Sequence, residues 1–227
     1  MLTAKLRSRV PKILRRKAWR LEGKAGIEVV GHRAYIGGKW DEYGQMEFDF
    51  MVAHGLRPEH VLLDIACGSL RAGIHFIPYL EAGHYLGIEK EQALIDSALA
   101  KELSPAVREE KRPELVVSGD FEFDKFSKQA DYSLAWSLFT HLNTADLDKC
   151  LGNLHAYAPA GHQLFGTFLP GESDQNDPRS HAHAAFYYPP EVMIATGERH
   201  GFKCNYIGDI STSQRHMAMH MMQFTAQ

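Results

Sequence analysis

The chain has 227 residues, enough for one domain with a short extension, and its 44% hydrophobic content is sufficient for a buried core. A formal charge of -3 gives no overall pull toward a polyanion such as nucleic acid. The cysteines Cys67, Cys150 and Cys204 lie far apart with no Cys-x-x-Cys pair, which argues against a structural zinc site and against a disulfide framework.

The charge is unevenly spread. Residues 1–20 hold Lys5, Arg7, Arg9, Lys12, Arg15, Arg16, Lys17 and Arg20 and no acid, so the rest of the chain is acidic. Leu2, Leu6, Val10, Ile13 and Leu14 recur at helical spacing, which predicts a basic amphipathic helix interrupted at Pro11. Such an arm suits an anionic membrane surface as well as open solvent. No secretory signal pattern follows it and no run is long enough to span a bilayer. The expected location is cytoplasmic, with the arm as a peripheral contact to the inner face of the membrane. Residues 25–38 read as a glycine-rich connector, and Trp40 to His54 as a helix closed by Gly55 and Pro58. Residues 1–57 are therefore expected to form a helical cap, and residues 58–227 the main domain.

From Val61 the pattern alternates. Val61–Ile65, Tyr85–Glu89, Leu115–Val117, Asp131–Trp136 and Gln163–Phe168 read as short buried strands. Helices are expected between them at Ala72–Leu80, Glu91–Leu103 and Thr144–Tyr157, and a further helix at Pro190–His200. Phe202–Ile207 and His216–Phe224 complete seven strands. The last two have no room for a helix between them, so they should pair antiparallel. The expected fold is α/β, a doubly wound, mostly parallel seven-stranded sheet with an antiparallel last strand.

The chemistry sits at strand ends. In Val61-Leu62-Leu63-Asp64-Ile65-Ala66-Cys67-Gly68-Ser69-Leu70-Arg71-Ala72-Gly73, the turn after the first strand must bring its backbone close to a ligand at the carboxyl edge of the sheet, which favours Gly68 and small neighbours. Glu89 ends the second strand, where a carboxylate can accept hydrogen bonds from both hydroxyls of a ribose. Asp120 and Phe121 follow the third, where an acid can take an adenine amino group and an aromatic ring can stack. A dinucleotide fold would need Gly-x-Gly-x-x-Gly, whereas the glycines of Gly68–Gly73 are wrongly spaced. A carboxylate at Asp64 would also repel phosphates but suit a cation.

These residues, from about Pro58 to Phe224, resemble the class I S-adenosylmethionine-dependent methyltransferases. The family's acid-x-Gly-x-Gly-x-Gly motif here reads Asp64-x-Ala66-x-Gly68-x-Leu70, with only the central glycine kept. The resemblance implies an enzyme using S-adenosylmethionine, with Gly68 near its methionyl part, Glu89 on the ribose and Asp120 on the adenine. It places Trp136, Ser137 and Leu138 beside the sulfonium. Phe139-Thr140-His141-Leu142 looks like the family's segment after strand four, and Ala158-Pro159-Ala160-Gly161 like its turn before strand five. Asp64, Ala66, Cys67, Gly68, Arg71, Glu89, Lys90, Asp120, Phe121, Trp136 and Ser137 are accordingly the candidate cofactor contacts. Cys67 itself reads as a small packing residue rather than a nucleophile.

The acceptor is expected to be a small molecule or glycan-type hydroxyl. The alternatives are a lipid or membrane-linked acceptor and a catalytically silent cofactor-binding module. A nucleic-acid acceptor is disfavoured, because Ala135-Trp136-Ser137-Leu138 is not an Asn/Asp-Pro-Pro-Tyr motif. A hydroxyl acceptor must lose a proton, and His141, near the end of strand four, is a candidate base. The long insert from Leu169 to Pro190 adds His181 and His183, with His183 a second catalytic candidate. Glu172, Asp174 and Asp177 lie near these histidines, yet the segment reads as a polar loop, and no metal is expected. Tyr35, Trp40 and Tyr43 of the cap can approach the same edge, which predicts an acceptor pocket between cap and insert. The oligomeric state is open.

Overall fold

The computed structural model describes residues 21–173, 176–210 and 218–227. The basic arm, Asp174 and the expected strand start at His216 lie outside these residues. Strands β1 (Leu62–Ile65), β2 (Tyr85–Glu89), β3 (Glu114–Val117), β4 (Tyr132–Ala135) and β5 (Gln163–Pro170) are parallel, in the order β3-β2-β1-β4-β5. β1, β2 and β4 are buried along their whole length, as their mostly apolar sequences suit inner parallel strands, although each carries one buried polar residue, Asp64, Glu89 or Ser133. The sheet continues to β7 (Phe202–Asp209) through β8 (His220–Ala226), which runs antiparallel to both β5 and β7. This is the expected doubly wound fold with its antiparallel last strand. Among the described residues β8 starts at His220. A two-residue strand, β6 (Tyr187–Tyr188), pairs parallel with the end of β5 and adds an eighth member inside the insert.

Helices cover both faces. Leu62, Phe76, Ile95 and Phe165 belong to one buried layer, and Leu63, Leu151, Phe168 and Met193 to the other. The helices are α4 (Gly73–Tyr79), α5 (Gln92–Lys101), α6 (Pro105–Lys111), α7 (Thr144–Tyr157) and α8 (Pro190–Arg199). Sequence periodicity misses α6, which is only seven residues long and has no buried face. Its start signal is nonetheless present: Ser104 Oγ accepts from Val107 N at 3.3 Å, with proline in the first turn.

The N-terminal side corrects one expectation. Residues 25–38 are not a connector but hold α1 (Gly23–Val30) and α2 (His32–Tyr35), followed by α3 (Trp40–Ala53). Gly26 sits inside α1 because the chain is crowded there: a Cβ at this position would lie 2.1 Å from the Leu21 carbonyl oxygen and 2.9 Å from the Tyr35 ring. Ile27 and Tyr35 pack on Leu94 of α5, which seats these helices over the carboxyl end of β2. Among the described residues no helix is long and apolar enough to cross a membrane.

Candidate active site

The turns that leave β1, β3 and β4 adopt unusual backbone geometry. Ala66 (φ 63), Gly68 (φ 59) and Leu70 (φ 65) are all left-handed after β1, as are Phe121 (φ 56) after β3 and Ser137 (φ 57) after β4. Non-glycine residues enter this region at a cost of roughly 1 kcal/mol each, and such strain gathers where a loop must present its backbone to a ligand. The turn after β1 therefore has left-handed backbone at 66, 68 and 70, with side chains at two of the three positions. At Gly68 a Cβ would also crowd Ile36 Cγ2, at 3.3 Å.

Above these turns lies a cavity of about 840 Å³. Its floor holds Asp64, Ala66, Cys67, Gly68, Arg71, Glu89, Lys90, Phe121, Trp136 and Ser137, so ten of the eleven candidate cofactor contacts come together. Asp120 does not join them. Its carboxylate is 73% exposed and pairs with Lys149 Nζ of α7 at 2.5 Å, while Ser118, Gly119 and Phe121 line the cavity around it. That ion pair holds the Asp120 carboxyl below its ordinary range.

Glu89 is buried, and both of its oxygens are already engaged. Oε2 accepts from Gly68 N and Oε1 from Glu91 N, each at 3.0 Å. Each oxygen retains acceptor capacity. Burial raises its pKa despite these two bonds. Asp64 is buried as well and accepts from Tyr85 Oη at 2.7 Å. Burial, with Glu47 and Glu89 nearby, lifts its pKa from 3.8 to about 7. Glu47 escaped the sequence reading. It projects from α3 and accepts from Arg71 Nη2, while Arg71 Nη1 donates to the Ile36 carbonyl at 3.2 Å. Its signal was spacing, since Trp40, Gly44, Glu47 and Met51 form the buried stripe of α3, and an acid on such a stripe calls for a partner. Asp64 and Glu47 thus share one guanidinium, with the buried Glu89 near Asp64, an arrangement that favours a cationic ligand and disfavours a pyrophosphate.

Cap and insert close the cavity from above. Tyr35, Lys39 and Tyr43 line it from one side, and Ser180, His181, Ala182 and His183 from the other. The insert is fastened beside β4: His181 N donates to His141 O at 3.1 Å and Phe186 N to Thr140 O at 2.9 Å. Tyr188 Oη donates to Leu142 O at 2.7 Å. Asn143 N donates to Ser180 Oγ at 2.8 Å, and Ser180 Oγ in turn donates to Asp146, another cavity residue missed in the sequence.

His141 lies in the turn of 3-10 helix Phe139–His141 and lines the cavity. Its Nδ1 is 2.7 Å from the carbonyl of Ala184. A carbonyl can only accept, so Nδ1 carries the proton and the neutral ring keeps its lone pair on Nε2. Burial lowers its pKa, the bond to the Ala184 carbonyl opposes that shift, and the nearby His183, Lys90 and His181 add to the lowering. His183 packs edge-on against Tyr35, with ring centroids 5.0 Å apart. Among the described residues no group of three or more His, Cys, Asp or Glu side chains could hold a metal ion.

No family model matches the chain. Its structure is similar to a magnesium protoporphyrin IX methyltransferase from Synechocystis PCC 6803 with bound SAM, at 14% identity and TM-score 0.61, over 95% of this chain and 91% of that one. A glycopeptide N-methyltransferase complexed with S-adenosyl-L-methionine matches over 83% of this chain and 96% of its own, at 14% identity and TM-score 0.61. A TehB-like SAM-dependent methyltransferase from Corynebacterium glutamicum ATCC 13032 Kitasato matches over 86% and 92%, at 20% identity and TM-score 0.56. The chain has the Rossmann-like fold of the class I S-adenosylmethionine-dependent methyltransferases.

Proposed function

We propose that the protein is an S-adenosylmethionine-dependent methyltransferase acting on a small molecule held between the cap, residues 1–57, and the insert. The observation that carries this reading is the floor of the cavity. A left-handed turn donates the Gly68 amide to the ribose-site acid Glu89, and beside it Asp64 and Glu47 oppose a single guanidinium. S-adenosylmethionine fits that donor set, with hydroxyls for Glu89 and positive charge for the buried acids. The volume, about 840 Å³, lies toward the upper end of the roughly 300–1,000 Å³ usual for small-molecule sites, which leaves room for an acceptor.

In this reading Glu89 accepts from the ribose hydroxyls, and Asp64 with Glu47 offsets the charge of the methionyl end. The Gly119–Phe121 segment borders the adenine, in place of the Asp120 carboxylate. Bound there, the cofactor supplies a methyl carbon made electrophilic by its sulfonium. The protein's own work is to align an acceptor oxygen with that carbon and to remove its proton. His141 is assigned the second task, because its Nδ1–H is anchored on Ala184 O and its free lone pair belongs to a neutral imidazole at physiological pH. His183, held edge-on by Tyr35, is assigned a contact to the acceptor. The enclosing roof favours a small acceptor over a polymer. Calorimetry with S-adenosylhomocysteine and with nicotinamide dinucleotides tests the cofactor assignment, and preferential binding of the dinucleotide would overturn it. Incubation with methyl-labelled cofactor and fractionated cell extract tests the acceptor, and label entering only macromolecular fractions would exclude a small molecule.

A further inference from the structure

The proton on His141 Nδ1 is directed by a carbonyl of the insert, and the insert is in turn held by the cap. Glu22 stands immediately before α1. Its Oε1 accepts from Ala182 N at 2.9 Å and lies 3.3 Å from His181 Nδ1. Ala184 N donates to His181 O at 3.2 Å, closing a tight turn over residues 181–184. The carbonyl at the end of this turn is the one that receives His141 Nδ1–H. A carboxylate at the N-cap of the first helix is thus three short links from the imidazole after β4.

We infer that Glu22 is a positioning residue for His141: it acts through the 181–184 turn, and so couples the seating of the cap on the insert to the orientation of that imidazole. The catalytic meaning of this link rests on the reading of His141 as the base, but the link itself is structural and can be measured without cofactor or acceptor. Glu22 holds its charge in place. Burial alone would raise its pKa, yet the Ala182 amide and the neighbouring Lys90, His181 and His183 bring it below the ordinary value. His181 Nδ1 serves one partner at a time. In the neutral ring it accepts from His183 N at 3.0 Å, and when protonated it pairs with Glu22. The Ala182 amide bond to Glu22 persists in both states, which makes it the constant element of the link. The charged or titratable groups around His141 are His181 and His183 from the insert, Lys90 after β2, and Asp146 from the first turn of α7, which shares the cavity.

The test uses the full chain without ligand and the substitutions Glu22→Ala and Glu22→Gln. The Glu22 side chain is 42% exposed, so truncation leaves the core intact. Imidazole NMR titration should find His141 below the ordinary value of about 6.5 in the parent protein. In Glu22→Ala it should differ from the parent, because the loosened turn changes both the burial that lowers this pKa and the Ala184 bond that raises it. In Glu22→Gln, which keeps a carbonyl acceptor for Ala182 N–H, it should stay with the parent. Amide hydrogen exchange across residues 181–186 should quicken in Glu22→Ala and not in Glu22→Gln. An unchanged His141 titration, or unchanged exchange, in Glu22→Ala overturns the inference. Turnover separates it from the catalytic reading. If His141→Ala retains full activity, the base assignment fails while the titration result still decides the role of Glu22.

Discussion

Asp64→Asn probes the cost of the site most directly. In the folded protein the Asp64 carboxyl is buried against Tyr85, Glu47 and Glu89 and titrates at about 7 instead of 3.8. A raised folded pKa means that the group stabilises the fold below about pH 4, where it is neutral in both states, and that this contribution is lost as pH rises toward 7. At about 1.4 kcal/mol per pH unit the full difference is roughly 4 kcal/mol, which is a ceiling. The substituted amide can still accept from Tyr85 Oη but must place two N–H donors in a buried site, which returns part of the gain. We expect the unliganded variant to be more stable than the parent by about 2 kcal/mol at pH 8, with the gap opening between pH 4 and 7 and constant above. Urea unfolding of both proteins across pH 4–9 gives the difference curve. An unliganded variant that is less stable than the parent at pH 8 would refute the reasoning, since it would mean that Arg71 fully compensates the buried charge. The same substitution should weaken S-adenosylhomocysteine binding, so stability and affinity move in opposite directions.

The remaining predictions concern the rest of the cavity. Glu89→Ala removes the acceptor of two backbone amides as well as the proposed ribose contact, and it should reduce both the melting temperature and S-adenosylhomocysteine affinity, the latter by about 2–3 kcal/mol, readable by calorimetry. His141→Ala should lower turnover by on the order of a hundredfold or more with nearly unchanged cofactor affinity, once label uptake has identified an acceptor. Because burial lowers the His141 pKa, the neutral base persists below the ordinary imidazole range, and the acid limb of the rate profile should fall below about pH 6.5. Ala66→Gly should be neutral or stabilising by up to about 1 kcal/mol, as relief of a left-handed alanine offsets the greater chain freedom of glycine, and thermal unfolding measures it.

What the sequence disclosed follows from which physical signals are local. Inner parallel strands are buried on both faces, so β1, β2 and β4 appear as mostly apolar runs, and the places of Asp64 near the end of β1, Gly68 in the turn after it and Glu89 at the end of β2 follow from them. Side-chain direction after a turn is not local. Asp120 sits at the expected place in the chain, but a left-handed Phe121 and a lysine 29 positions away turn its carboxylate outward. Residues 25–38 read as a connector because of four glycines in 14 residues, whereas Gly26 is required by close packing within a helix and Gly31 and Gly37 only follow helices. Glu47 was legible in principle from its place on a buried stripe, but its partner Arg71 lies 24 residues on and is recognisable only once α3 is docked.

The turn after β1 shows why a motif can fade while its geometry persists. Glycine suits left-handed backbone, yet what a loop close to a ligand needs is the left-handed backbone itself. Here Ala66 and Leu70 hold that geometry with side chains attached. Leu70 is fully buried, so the apolar area it removes from water, about 1.5–3 kcal/mol for a residue of this size, exceeds the roughly 1–2 kcal/mol of backbone strain it carries. Ala66 has no comparable burial to offset its strain, which is why substitution by glycine is expected to be tolerated at 66 and harmful at 70. Leu70→Gly should relieve the same φ yet lose net stability through the void beside Gly73, where a Cβ would lie only 2.9 Å from Leu70 Cδ2. Equal melting temperatures for Ala66→Gly and Leu70→Gly would show that packing does not hold this loop in shape.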